Sequence, residues 1–164
     1  MTAGARGDIE EMEKAFGYQT PVGDLVIAED GRAITALLFG MDALSHYEVE
    51  ETPLIRRAKE QLDEYFAGKR KAFDLPLAPK GTAFQQAVWN ALLEIPYGET
   101  RTYGQIAARI ERPGAGRAVG QANHRNPISI LIPCHRVIGT GGGLTGYGGG
   151  LSVKEKLLAL ERGE

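Results

Sequence analysis

Residues 102–125 read TYGQIAARIERPGAGRAVGQANHR. A short helix starting near Thr102 runs into ERPGAG, where proline and glycine break it. RAVGQANHR can then wind a second short helix. Two short helices across a tight turn match the helix-turn-helix plan, whose second helix enters a DNA groove. An ordinary helical hairpin has the same pattern. Arg117 at the start of the second helix and Arg125 at its end favour the DNA reading.

Charge elsewhere supports that choice. The 164-residue chain carries a net charge of −2, unevenly spread. Residues 1–83 hold 10 basic and 15 acidic side chains; residues 84–164 hold 9 and 6. From Arg101 to Arg136 there are six arginines and a single acid, Glu111. A local basic zone of this kind suits a phosphate backbone, although a solvated face would look the same.

Upstream, TAFQQAVWNALLEIP sets Phe84, Val88, Ala91 and Leu92 on one helical stripe that Pro96 stops. KAFDLPLAPKGT is extended and punctuated by proline, and reads as a linker. Before it, residues 17–39 read as a hairpin, with LVIA and ITALLF as strands and EDGR as the turn. PLIRRAKEQLDEYFAG follows as a helix with Ile55, Ala58, Leu62, Tyr65 and Phe66 near helical spacing, ended by Gly68. The expectation is an α/β protein of two small domains. Residues 1–80 form a structural sheet-plus-helix unit with its linker, and residues 81–164 carry the chemistry.

Downstream, NPISILIPCHRVIG holds the one cysteine of the chain, Cys134, beside His135 and Arg136. ISILI is too short for a helix between two prolines and reads as a short buried strand or extended segment. One cysteine excludes an internal disulfide and thiolate-rich zinc sites, and three dispersed histidines make a poor metal set. No metal and no cofactor are expected. A free thiol, no apolar run near the ~20 residues of a membrane span, and no secretory leader suggest a cytoplasmic location. Residues 139–150 contain eight glycines in twelve, around Tyr147. They read either as a flexible loop or as a wall whose backbone approaches a ligand closely. In SVKEKLLALERGE, Ser152 and Glu155 match a capping box, so a helix should begin at Ser152. Val153, Leu157 and Glu161 lie on one stripe of it. A carboxylate at a helix C-terminus opposes the helix dipole, so position alone sends Glu161 to water.

A cysteine with an ordinary pKa of about 8.5 needs a base or a positive neighbour to act as a nucleophile. His135 is adjacent, but in a regular strand the two side chains would point apart. A turn at this point, or a bridging water, would bring them together. A histidine base in turn needs an orienting carboxylate. An inert buried thiol is the other reading of Cys134.

IPCHRVIG, with RAVGQANHRNP before it and LTGYGGGL after it, closely resembles the O6-alkylguanine-DNA alkyltransferases, the methylated-DNA–protein-cysteine methyltransferases. TAFQQAVWNALLEIPYGETRTYGQIA is similar to that family's DNA-binding half, and YQTPVGDLVIAEDGRAITALLF to the opening of its N-terminal domain. The resemblance implies a ribonuclease H-like N-terminal unit and a winged helix-turn-helix-like C-terminal domain. It implies a monomer acting on double-stranded DNA that contains O6-alkylguanine, with the alkyl group passing irreversibly to Cys134.

By the same resemblance, His135 with Glu161, through a water, would draw off the thiol proton and leave an ionised sulfur to attack. Arg117 would fill the space left by a flipped nucleotide, and Tyr103 would crowd its phosphate and donate to the departing guanine. A phosphate contact and core packing are the plainer roles for these two. Ala118, Gly120 and Thr140 would meet DNA, and Asn126 would tie the recognition helix to the backbone near Cys134. Val137, Tyr147, Gly148, Gly149 and Lys154 would form the base pocket. His124 stands where the family often has glycine, and a phosphate contact or simple exposure would account for it. A sister group that binds lesions without repair carries tryptophan at the cysteine position; here the residue is Cys134. A cysteine hydrolase is a third reading, which would leave the basic helix idle.

Overall fold

The computed structural model describes residues 13–139, 141, 147 and 149–164. The chain divides into two compact units, Met1–Ala78 and Pro79–Glu164. The break falls two residues before the boundary read from the sequence.

The first unit is built on a four-stranded sheet. Strands β1 (Lys14–Thr20), β2 (Gly23–Glu29) and β3 (Ile34–Phe39) form an antiparallel meander, and the short β4 (Glu48–Val49) adds in parallel to β1. The order is β3-β2-β1-β4. The sequence reading gave two strands here and missed that GYQT belongs to a third. Thr20 closes the extra turn: its hydroxyl donates to Gly23 O at 2.6 Å and accepts from Val22 N at 3.2 Å. Gly23 supplies the φ of 104° that the turn requires.

LVIA is continuously apolar because the sheet is covered on both faces. Helix α1 (Pro53–Phe66) packs against β1 and β2. Its buried stripe is Ile55, Ala58, Leu62 and Tyr65. Ala15, Val26, Ala28 and Ala36 pack instead with Met41, Leu44 and Tyr47 around a turn of 3-10 helix, Met41–His46. Thr52 caps α1 by accepting from Ile55 N at 3.1 Å. At the other end Gly68 N bonds Tyr65 O and Lys69 N bonds Glu64 O, a Schellman closure with Gly68 at φ 75°.

The segment read as a linker is partly sheet. Ile34 N donates to Pro76 O and Ala78 N to Ile34 O, both at 2.8 Å, so Leu77 extends the edge beyond β3. Gln61 pins the same segment through both ends of its amide to the backbone of Asp74. Prolines on a sheet edge are compatible with this, since an edge strand can leave one side unpaired.

The second unit is helical. Helix α2 (Ala83–Leu93) starts at a capping box between Thr82 and Gln85 and buries Val88, Trp89, Ala91 and Leu92. Helix α3 (Tyr103–Arg109) has a second such box, Thr102 with Gln105, and α4 (Gly116–His124) follows across the turn. Trp89 Nε1 donates to Ala122 O at 2.9 Å, locking α2 to α4. A two-stranded parallel ladder, β5 (Arg101–Thr102) with β6 (Val137–Ile138), joins the two ends of this block. Helix α5 (Leu151–Glu161) completes the unit.

Two local expectations fail here. ISILI is a tight turn, with Ile130 at φ 71° and Ser129 bridged to Ile132. The capping box at Ser152 does not form: α5 begins at Leu151 on a Gly150 cap with φ 95°, which leaves Ser152 one residue inside the helix.

Candidate active site

Cys134, His135 and Arg136 form a single turn of 3-10 helix after Pro133. The turn resolves the problem of adjacent side chains, because successive residues of such a helix fan out by a third of a turn. All three are buried. His135 Nε2 lies 2.7 Å from Glu161 Oε2. Arg136 donates to the same carboxylate twice, Nε to Oε1 at 2.8 Å and NH2 to Oε2 at 3.0 Å. Its NH1 donates to Ile95 O at 2.7 Å, and Gly98 N reaches Glu161 Oε1 at 3.3 Å.

Glu161 is therefore 6% exposed and surrounded by donors, not a solvated helix end. The Arg136 cation more than offsets the opposing helix dipole, which is worth at most about 1 kcal/mol at an ordinary site. A carboxylate so placed stays ionised and orients the imidazole. With Nε2 facing it as N–H, the lone pair is on His135 Nδ1, which has no hydrogen-bond partner among the described residues. Burial depresses the histidine, Glu161 pulls it back up, and Arg136 and Lys154 depress it further. The resting ring is neutral, as a base must be.

Cys134 is 4% exposed. Burial raises its thiol above the ordinary value, opposed by hydrogen bonding from Asn126, the positive charge of Lys154 and hydrogen bonding from Ser129. Burial thus favours the protonated group. It must lose its proton during the reaction. Lys154 is fully buried on α5 and donates to Val137 O at 2.6 Å. Burial lowers its pKa, and Cys134 opposes that. Val137, expected in the pocket, is buried next to the turn and is the residue that holds this lysine.

Asn126 closes α4 onto the cysteine loop. Its Nδ2 donates to Ile132 O at 2.9 Å and its Oδ1 accepts from Ile128 N at 3.0 Å. Tyr147 is buried and Gly149 half-buried. Thr140 and Gly148 lie outside the described residues.

The exposed face of α4 lines an open groove of about 900 Å³. Arg117, Ala118, Gln121, His124 and Arg125 form one wall; Tyr103 and the start of α2 form the other. Among the described residues no carboxylate pairs with Arg117 or Arg125, whereas Arg101 and Arg109 are paired with Glu99 and Glu94. Gly120 sits under the Tyr103 ring: a Cβ there would lie 3.6 Å from Tyr103 Cε1. Its smallness serves helix packing as well as the groove. Cys134 is not in that wall. It is reached from the buried side of α4, where Asn123 Nδ2 donates to Cys134 O at 3.4 Å.

Three contributors escaped the sequence reading. Arg136 stands out in the sequence only as a neighbour of the cysteine, and Asn123 and Gly98 do not stand out at all. Asn123 was findable: with Val119 and Ala122 it shares the buried stripe of α4, where an amide needs a partner.

Residues 83–163 match the model of the 6-O-methylguanine DNA methyltransferase DNA binding domain, and residues 17–79 that of its ribonuclease-like domain. The chain belongs to the 6-O-methylguanine DNA methyltransferase family. The methylated-DNA–protein-cysteine methyltransferase of Methanosarcina acetivorans is 53% identical over 149 residues, covering 88% of this chain and 95% of the relative. The constitutive enzyme of that name from Bacillus subtilis is 51% identical over 152 residues, covering 88% and 92%. The crystal structure of Mycobacterium tuberculosis O6-methylguanine methyltransferase superposes with a TM-score of 0.86 at 47% identity, over 93% of this chain and 94% of that one. Mycobacterium tuberculosis OGT in complex with DNA gives 0.85 at 49% identity, over 92% and 93%. The family's two-domain plan, a ribonuclease-like unit and a DNA-binding unit, is the architecture described above. Among the described residues no helix is long and apolar enough to cross a membrane, and no cluster of side chains could hold a metal ion.

Proposed function

We propose that this chain repairs O6-methylguanine in double-stranded DNA by moving the methyl group onto Cys134. The observation that carries the reading is the buried relay: a thiol, a neutral histidine with an open Nδ1, and a carboxylate fixed by Arg136. The activity its relatives are named for, methyl transfer from DNA to a protein cysteine, calls for such a thiol.

In the reaction, Nδ1 of His135 accepts the Cys134 proton through one water, and Glu161 stabilises the imidazolium that results. The thiolate attacks the methyl carbon in line with the C–O6 bond. A C–S bond forms as the C–O6 bond breaks, and the electron pair leaves with the purine. Tyr103 donates to the departing base, whose N1 finally takes up the proton, so that guanine is regenerated. The thioether has no nucleophile to release it, and each molecule acts once.

A stacked base cannot reach a buried thiol, so the nucleotide must turn out of the duplex. Arg117, exposed on α4, fills the gap, while Ala118 and Gly120 allow a close approach of that helix to the groove. Asn126 holds α4 to the cysteine loop, and Val137, Tyr147, Gly149 and Lys154, with Thr140 and Gly148, complete the site. The protein works as a monomer in the reducing cytoplasm, where its thiol stays free. Titrating a duplex bearing radiolabelled O6-methylguanine tests this. Transfer should stop at one methyl per chain and vanish in Cys134→Ala. Continued turnover would overturn the reading.

A further inference from the structure

Tyr97 stands in the turn between α2 and β5 and is half-buried. Its hydroxyl donates to Leu160 O at 3.5 Å, one residue before Glu161. The next residue, Gly98, donates its N–H to Glu161 Oε1 at 3.3 Å. Gly98 has a φ of 83°, and a Cβ there would lie 3.2 Å from Glu161 O, so the turn is fitted to the end of α5 through its backbone. From that turn the Tyr97 ring centroid lies 5.8 Å from Arg136 Cζ.

Every nitrogen of the Arg136 guanidinium already has an acceptor: Nε and NH2 on Glu161, NH1 on Ile95 O. What the planar group still presents is its faces, and Tyr97 covers one of them. An aromatic face attracts a guanidinium at this distance, more strongly where water is excluded. A ring there also keeps water off the Arg136–Glu161 pair, whose mutual attraction weakens in more polar surroundings. We infer that Tyr97 is a positioning residue for the reaction: its ring holds Arg136 against Glu161 and so fixes the carboxylate that orients His135. The inference rests on the repair reading above and extends the relay by one side chain.

The consequence is a pH signature, because His135 accepts a proton only as a neutral ring. Glu161 and Lys154 of α5 and Arg136 of its own turn act on it, next to the Cys134 thiol. Helix α2, which also packs against this turn, carries no ionisable side chain. Loosening Arg136 removes an influence that depresses His135, and admitting water relieves its burial; both make the ring easier to protonate. A less firmly paired Glu161 is also easier to protonate, which acts in the same direction. Burial, then the charge of Glu161, raises the Tyr97 phenol, so Tyr97 itself does not titrate in the acid range.

The test follows single-turnover methyl transfer from a duplex containing O6-methylguanine between pH 5 and 9, with the full chain as wild type, Tyr97→Leu and Tyr97→Phe. In Tyr97→Leu the midpoint of the acid limb should rise by about half a pH unit or more, roughly a threefold loss of rate low on that limb. Tyr97→Phe keeps the ring without the hydroxyl and should hold the wild-type midpoint. Should Tyr97→Leu fail to fold, Tyr97→3,5-difluorophenylalanine thins the electron density of the ring face at nearly constant size, and its midpoint should rise above that of Tyr97→Phe. A ring with only a packing role would lower the rate by one factor at every pH, so an unmoved midpoint in the variant that folds would overturn the inference. A shift in Tyr97→Phe as large as in Tyr97→Leu would place the effect in the hydroxyl and overturn it too. Wild type that moves no methyl at any pH would instead sink the repair reading itself.

Discussion

Glu161→Gln separates the electrostatic from the chemical role of the buried carboxylate. The change keeps the shape of the side chain but removes its charge, and it points an NH2 at groups that are themselves donors. Arg136 then keeps a cation in a nearly dry site, its side chain only 8% exposed, with Ile95 O as its remaining strong acceptor. Breaking a buried pair from one side costs about 3–5 kcal/mol. Total stabilities are about 5–15 kcal/mol, so a large share is lost. Urea unfolding followed by the fluorescence of Trp89, the one tryptophan, reports on this unit. Arg136→Met with Glu161→Gln removes the stranded cation and should recover at least 1–2 kcal/mol of the loss. Methyl transfer should not recover. An imidazole without its orienting carboxylate loses general-base catalysis, typically worth 10²–10⁴-fold. A double variant with its rate restored along with its stability would refute the reasoning. So would a single variant within about 1 kcal/mol of wild type.

Arg117→Ala removes an exposed, unpaired cation from the groove. Single-turnover repair should slow about tenfold or more, folding should be unaffected, and the slope of log affinity for undamaged duplex against log salt should fall by about one if the guanidinium also meets a phosphate. Cys134 yields a pH signature. Its thiol is raised in the folded protein, so the native state holds more protons than the unfolded chain above pH ~8.5, and stability must fall as pH rises past that point. Unfolding of wild type and Cys134→Ala from pH 7 to 10 should show a steeper decline in wild type; parallel curves would contradict it. His135 is depressed, so the folded ring resists protonation below its ordinary value of about 6.5 and stability falls as pH drops through that region. His135→Gln should flatten that acid limb.

Much of this was legible in the residues. PCHR, the break at ERPGAG and the stripes of α2 and α5 depend on local spacing, and spacing is what a sequence displays. The failures have physical causes. GYQT is polar and glycine-containing, and it becomes a strand because it pairs along its whole length with β2. ISILI looked like a strand because apolar content does not reveal that Ile130 sits at positive φ. Ser152 and Glu155 had the pattern of a cap, but Gly150 let the helix start earlier. Glu161 looked solvated because its partners, Arg136 and Gly98, lie far away along the chain. Its role was reached through likeness to a family, and the reason it can be buried, a bidentate arginine, required the fold.

The central claim is that a buried thiol becomes the permanent acceptor of a methyl group. Its most direct measurement is to incubate the protein with a duplex containing O6-(trideuteriomethyl)guanine, digest it, and locate the label by peptide mass spectrometry. The account predicts one trideuteriomethyl group, on Cys134, with unmodified guanine left in the DNA. A label on any other residue, or guanine restored while Cys134 stays free, would contradict it.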